Sequence, residues 1–184
     1  MTIVKLILLL FILFISFILY FFRKPDIVLY PNENDIIRSP AFGKILLISN
    51  LPNDTLFIAI FLSPFDIHYS LNPCNGVVEN VEYDHTGRFE LAFDLQKSRL
   101  SEKAITTYII PQGKLKVYQI AGYLARRIVT YVTPGQKVVK GSYHGLIKLG
   151  SRVDIIIPKA SQFKLLAQEK DYLRGSDSVI GHYL

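Results

Sequence analysis

The sequence is poor in cysteine and contains no tryptophan. Cys74 is the only cysteine among 184 residues, so the chain can form neither an internal disulfide nor a cysteine-based metal site, and we expect no metal. The net charge of +6 comes without a basic run or a recognised nucleic-acid motif, which argues against a nucleic-acid partner. Such a charge suits a surface beside anionic lipid, although basic residues also serve simply to solvate a protein surface.

Charge is almost absent from residues 3–22, where Lys5 is the only charged residue. About 20 apolar residues, at a rise of about 1.5 Å each, cross a hydrocarbon core of about 30 Å. A cleaved signal peptide is the alternative, but its apolar core is shorter and ends in small residues. We therefore predict a retained anchor in residues 1–24. Arg23, Lys24 and later basic residues favour a domain on the cytosolic side.

The rest of the chain largely lacks the apolar period of a helix, and residues 161–168 come nearest to it. Residues 25–37 are polar and contain two prolines, which predicts an extended linker. From residue 38 to 184, short runs rich in Val, Ile, Tyr and Phe alternate with turn sequences such as PNDT and PQGK. This pattern predicts a mainly β domain, a sandwich or partly closed barrel of short strands.

A short internal echo links Lys140-Gly141-Ser142 to Arg174-Gly175-Ser176. Each triplet is followed by a short apolar segment, and two such glycine turns suit paired hairpins like those of lipoyl-carrier domains. An echo of this length also arises by coincidence. A lipoyl-type carrier itself is disfavoured, because no lysine lies in an evident acceptor motif at a hairpin tip.

Two blocks carry the strongest functional signal. The first, Tyr143–Pro158, reads YHGLIKLGSRVDIIIP, and the second, Phe61–Gly76, reads FLSPFDIHYSLNPCNG. Together they resemble the phosphatidylserine decarboxylase family, particularly its short, membrane-anchored form, and the resemblance extends over residues 38–184. A lone Gly-Ser pair would mean almost nothing, whereas these blocks in this order are specific.

The resemblance implies a proenzyme that cleaves itself between Gly150 and Ser151. In such a protein the Ser151 hydroxyl attacks the preceding carbonyl, and Gly150 permits the backbone bend that the attack requires. Ser151 then becomes a pyruvoyl group, whose ketone takes up electrons while phosphatidylserine loses CO₂ to give phosphatidylethanolamine. The implied partners are this phospholipid and the membrane, and a homo-oligomer stays open. The alternative is that Gly150-Ser151 only bends a strand.

Three further residues are candidates for the chemistry. His68 matches the family histidine of the Asp-x-His block, and a side chain that titrates near neutrality suits proton transfer. Without the resemblance, a single histidine near a strand end is more often structural. Asp66 either orients His68 or caps a turn. His144 lies seven residues before Ser151 and is an auxiliary candidate for a base.

Two departures from the family pattern weaken the interpretation. Ser39–Gly43 resembles a Ser-Pro-Ala-Asp-Gly segment of the family, but Phe42 stands where the resemblance expects the aspartate that promotes self-cleavage. Leu71 replaces a histidine that long-form members carry. Neither side chain can accept a proton. Either Asp66, His68 or His144 compensates, or the chain is an unprocessed pseudoenzyme that binds phospholipid or a protein partner.

Overall fold

The computed structural model describes residues 3–85, 90–91, 93–122, 127–148 and 151–184. The chain begins with one long apolar helix, α1, from Ile3 to Phe21. Among the described residues, it is the one helix that is long and apolar enough to cross a membrane. Beyond it the protein is mainly β, as the sequence predicts, and the principal sheet is curled into a half-barrel.

In the described part of the chain all strand pairs are antiparallel, and eight strands form the large sheet. Its strands, from one edge to the other, are β13 (Tyr172–Arg174), β2 (Phe42–Leu51), β3 (Thr55–Leu62), β11 (Ser151–Pro158), β7 (Gly113–Ala121), β6 (Lys103–Ile110), β5 (Gly76–Asp84) and β9 (Lys137–Val138). The strand that begins at Ser151 is therefore central.

Two smaller sheets of three strands each accompany the large one. One contains, in spatial order, β1 (Ile36–Arg38), β14 (Val179–Tyr183) and β12 (Phe163–Leu165). The other contains β4 (Tyr69–Leu71), β10 (Tyr143–Ile147) and β8 (Ile128–Thr130). Short 3-10 helices cover Lys97–Leu100, Ala160–Gln162 and Gly175–Asp177.

The predicted turn sequences join neighbouring strands. Asn53 and Asp54 have φ values of 62° and 54° and connect β2 to β3, and these two residue types tolerate the left-handed region well. Gly113 closes the turn between β6 and β7. The expected helical tendency of residues 161–168 is wrong: a 3-10 helix there gives way to β12, because Phe163 pairs with Tyr183 in the sheet.

The core lies against one face of β11. Val153, Ile155 and Ile157 are fully buried there, together with Ser151 at the head of the strand. Because side chains alternate across a strand, Arg152 faces the other side. Ser151 is thus placed at the end of a central strand with its side chain directed toward the interior.

The connector between α1 and β1, residues 22–35, has no helix or strand but is fastened to the domain. The ammonium group of Lys140, whose side chain is fully buried, donates to the backbone carbonyl of Glu33 and lies 3.5 Å from its carboxylate. Arg38 pairs with the same carboxylate at 2.8 Å. The amide of Asn75 donates to three connector carbonyls. These bonds hold the connector in place against the β-rich domain.

Candidate active site

The Ser151 side chain is buried and makes no hydrogen bond to a described residue. It is fully buried, and its hydroxyl oxygen has no hydrogen-bond partner among the described residues. Leaving a buried hydroxyl unpaired typically costs about 1–3 kcal/mol. Its backbone is held on both sides, since it pairs with Leu62 of β3 and Ala121 of β7. The predicted partner in cleavage, Gly150, lies outside the described residues.

His68 lies at the same end of the sheet as Ser151. The strand pairing places Leu62 beside Ser151, and the turn that carries His68 begins at the next residue, Ser63. The backbone carbonyl of His68 accepts a hydrogen bond of 3.1 Å from Ile147, four residues before Ser151. The turn is therefore fixed to the segments on both sides of the predicted cleavage position.

The imidazole of His68 is fully buried and has a defined tautomer. Its Nδ1 lies 2.9 Å from the backbone carbonyl of Asp66. Since a carbonyl only accepts, Nδ1 carries the hydrogen and Nε2 carries the lone pair of the neutral ring. Burial lowers the pKa of His68 to about 4, and the positive charge of Arg23 acts in the same direction, whereas Asp66 opposes it. His68 is thus neutral near pH 7.

The carboxylate of Asp66 shapes the turn, and only its backbone carbonyl bonds to the His68 ring. One carboxylate oxygen accepts the Ser63 amide at 2.7 Å, and the other accepts the hydroxyl of Tyr172. Asp66 thus caps the turn through its carboxylate and contacts the His68 ring through its backbone carbonyl, and its role in the chemistry stays a prediction. Tyr172 was not recognised from the sequence, since 106 residues separate it from Asp66 and no motif marks it.

His144 is also buried. Its Nε2 lies 2.9 Å from the hydroxyl of Thr106, and its Nδ1 has no partner among the described residues. Thr106 belongs to β6 and pairs with Val117 of β7. Burial lowers the pKa of His144 to about 3.

The two departures from the family pattern lie next to each other. The Leu71 amide donates to the carbonyl of Pro40 at 2.8 Å, two residues before Phe42, and Leu71 is buried. The Phe42 ring covers Gly175, where an added Cβ would lie 2.4 Å from a ring atom. Gly175 has a φ of 58°, so a side chain is disfavoured there on both counts. Aromatic packing thus occupies the place where the resemblance expects a carboxylate.

A groove of about 320 Å³ opens on the opposite face of β11 from Ser151. Its lining includes Arg152 and Asp154, which form a buried ion pair at 2.8 Å, and the apolar side chains of Leu47 and Phe57. Because alternate residues of a strand face opposite sides, this groove is separate from the Ser151 site.

We expect acid to destabilise the folded protein because of its two buried histidines, His68 and His144. Each has a pKa well below the ordinary 6.5 in the folded protein, so the unfolded chain binds more protons as the pH falls below about 6.5. The contribution of these two histidines to the free energy of unfolding is therefore fully present above that pH and is lost as the pH falls toward 4. At pH 5 each histidine has lowered the free energy of unfolding by about 2 kcal/mol. Thermal unfolding in detergent between pH 7.5 and 5 measures the decline. His144→Gln should reduce the decline by about half, and equal pH dependence in both proteins would contradict the expectation.

The comparisons with known proteins agree with these observations. The family profile described as phosphatidylserine decarboxylase matches residues 14–181. The phosphatidylserine decarboxylase proenzyme of Chlorobaculum tepidum is 39% identical over 153 residues, covering 80% of this chain and 69% of that protein. That of Chlorobium phaeobacteroides is 39% identical over 172 residues, covering 90% and 78%. That of Cytophaga hutchinsonii is 36% identical, covering 97% and 83%. The chain belongs to the phosphatidylserine decarboxylase family.

Proposed function

We propose that this chain is a membrane-anchored proenzyme that cleaves itself at Gly150-Ser151 and converts phosphatidylserine to phosphatidylethanolamine. Residues 1–24 anchor it, and residues 38–184 form the catalytic domain on the cytosolic side. The observation that carries the proposal is Ser151: a fully buried hydroxyl without a described partner, at the head of a central strand and beside the turn of His68. The names of the relatives give the substrate class.

Self-cleavage needs only groups of the chain and water. The Ser151 oxygen attacks the Gly150 carbonyl carbon, and the peptide C–N bond breaks as the freed amine takes a proton. The resulting ester loses the Cα proton of residue 151, its Cβ–O bond breaks, and the Gly150 carboxylate leaves. The dehydroalanine that remains tautomerises and hydrolyses, releasing ammonia and leaving a pyruvoyl group. The attack also needs a group that takes the hydroxyl proton, because serine is a weak nucleophile without an adjacent base.

The residues around Ser151 fit a group of this size and polarity. The ketone would form at the Cα of residue 151, whose backbone β3 and β7 hold on both sides, and the buried hydroxyl without a described partner marks the interior space beside it. The pyruvoyl group supplies a ketone that binds the substrate amine and withdraws electrons from the adjacent carbon. His68, neutral with its lone pair on Nε2, receives and returns protons at this site. Asp66 fixes the ring through the bond from Nδ1–H to its backbone carbonyl.

The test of the proposal is the covalent state of the purified protein. Denaturing electrophoresis and intact-mass analysis should show a chain that ends at Gly150 and a 34-residue chain that begins with a pyruvoyl group. Product formation from phosphatidylserine in vesicles should accompany the two chains. A single unmodified chain under native conditions would rule out the enzyme hypothesis and leave the alternative of a non-enzymatic binding protein.

The second candidate is the unprocessed pseudoenzyme. Phe42 and Leu71 favour it, because apolar side chains stand at both positions where the resemblance expects groups that handle protons. Such a chain would keep the fold and bind phospholipid or a protein partner without decarboxylation.

We expect the double variant Phe42→Asp, Leu71→His to cleave faster than the parent chain. The change Phe42→Asp alone would put a carboxylate at the edge of a packed aromatic site, which risks several kcal/mol, whereas the histidine gives it a partner. The measurement is the cleaved fraction against time in samples whose fold is verified by circular dichroism. Phe42→Leu, which changes no charge, is the control and should cleave at the parental rate. No cleavage in the double variant or the parent would favour the pseudoenzyme.

A further inference from the structure

The last residue of α1 is buried, unlike most of the helix. Phe14 is 59% exposed, whereas Phe21 is fully buried. The Phe21 ring lies against the imidazole of His68, with 4.2 Å between the ring centroids and 38° between the ring planes. The Phe22 ring packs edge-on against Phe21 at 5.0 Å. The end of the membrane anchor is therefore part of the surroundings of the candidate catalytic histidine.

Hydrogen bonds hold this helix end on the turn that carries His68. The hydroxyl of Tyr20 and the guanidinium of Arg23 both donate to the backbone carbonyl of Phe65, at 3.2 and 2.8 Å. Arg23 also donates to the carbonyl of Tyr20 at 2.7 Å and lies 3.8 Å above its ring. Phe65 precedes His68 by three residues, so any movement of the helix end is transmitted to the turn.

With α1 across the bilayer, the same junction would lie at the level of the membrane surface. It follows directly on the apolar helix, and the side chain of Phe65 is 66% exposed beside it. Aromatic rings and basic residues concentrate at such interfaces. A phospholipid headgroup in the bilayer would thus lie at the height of His68, while Phe21 covers the imidazole from the side of the anchor.

We propose that Phe21 is a positioning residue of the substrate site, through which the end of the membrane anchor seals His68 from water and holds its ring in place. Exclusion of water strengthens the electrostatic interactions within such a site. The anchor then contributes to the chemistry as well as to membrane attachment. The activity readout of this inference rests on the proposed function, but its structural readout does not.

The test is the reaction of histidines with diethyl pyrocarbonate, which acylates accessible neutral imidazoles, followed by peptide mass spectrometry of the full chain in detergent. His85, whose side chain is 74% exposed, is the internal reference. His68 should stay unmodified while His85 reacts, and Phe21→Ala should make His68 reactive on the same timescale. Phe14→Ala, a lipid-facing change of the same size, should leave His68 protected. Phe21→Leu, which refills the space, should restore protection.

A second pair of variants tests the seal without removing the buried ring. Arg23→Ala removes the bond to the Phe65 carbonyl and should raise the reactivity of His68, whereas Lys24→Ala should not. This pair decides the matter if Phe21→Ala does not fold. In vesicles containing phosphatidylserine, Phe21→Ala should lower kcat by as much as about 10²-fold with little change in KM, since a misplaced group costs about that much.

The outcomes distinguish this inference from the proposed function. Wild-type protein that neither cleaves nor decarboxylates would refute the proposed function, while protection of His68 that depends on Phe21 would still support the seal. The inference is overturned if His68 reacts as fast as His85 in the wild type. Continued protection in folded Phe21→Ala and Arg23→Ala, or faster turnover in Phe21→Ala, would overturn it as well.

Discussion

Replacing Ser151 by alanine is expected to leave one full-length chain of 21.0 kDa with no decarboxylase activity. Alanine has no hydroxyl that could attack the Gly150 carbonyl, and no oxygen that could be eliminated to form the pyruvoyl group. The fold should persist, because the Ser151 hydroxyl makes no hydrogen bond to a described residue and its removal leaves no partner unsatisfied. Electrophoresis, intact mass and product formation from phosphatidylserine measure the three effects.

The chain offers a matched control for this change. Ser176 also follows a glycine and is also buried, but it lies in a 3-10 helix at the edge of the large sheet. Ser176→Ala should cleave and turn over as the wild type does. Cleavage in Ser151→Ala, or loss of cleavage in both variants, would show that the scissile bond lies elsewhere or that cleavage reports only on folding.

Replacing His68 by alanine is expected to lower decarboxylation by about 10²–10⁴-fold, the usual cost of removing a general acid or base. Some chain cleavage should remain, because the attacking hydroxyl of Ser151 is still present. The ratio of product formed to chain cleaved therefore separates turnover from maturation. If turnover per cleaved chain is normal, the proton comes from another group.

His68→Ala also affects packing. The ring of Phe21 contacts His68 and would face a cavity in the alanine variant. His68→Gln fills more of the space and can still donate to the Asp66 carbonyl, but it cannot accept and return a proton as imidazole does. It should lose as much turnover as alanine while keeping stability closer to the wild type. His85→Ala alters an exposed histidine and should change neither quantity.

Local sequence patterns predicted much of the fold. Asn53, Asp54 and Gly113 are residue types that favour turns, whatever surrounds them in the fold. The two hairpins that they close could therefore be predicted from the local sequence. The apolar helix could also be predicted, because its length and composition are those of a membrane-spanning helix. The order of the two family blocks singled out Ser151, which lies at the head of the central strand.

Contacts between distant segments could not be predicted. The sequence around Tyr172 contains no pattern that predicts the hydrogen bond from its hydroxyl to the carboxylate of Asp66. The last residue of an apolar helix looks like any other lipid-facing phenylalanine, yet Phe21 is fully buried against His68. The sequence predicts an extended linker at residues 25–37, and its attachment to the domain has no local signal because its partner, the buried Lys140, lies more than a hundred residues away.

The central place of β11 has a consequence for the matured protein. Cleavage before Ser151 would make this strand the N-terminal segment of a separate 34-residue polypeptide, inserted between β3 and β7 through eight and six residue pairs. The small polypeptide could leave only by splitting the sheet down its middle. The enzyme would become a two-subunit complex whose unfolding is coupled to dissociation of the two chains, so that its apparent melting temperature rises with protein concentration, whereas unfolding of the uncleaved precursor separates no such pair.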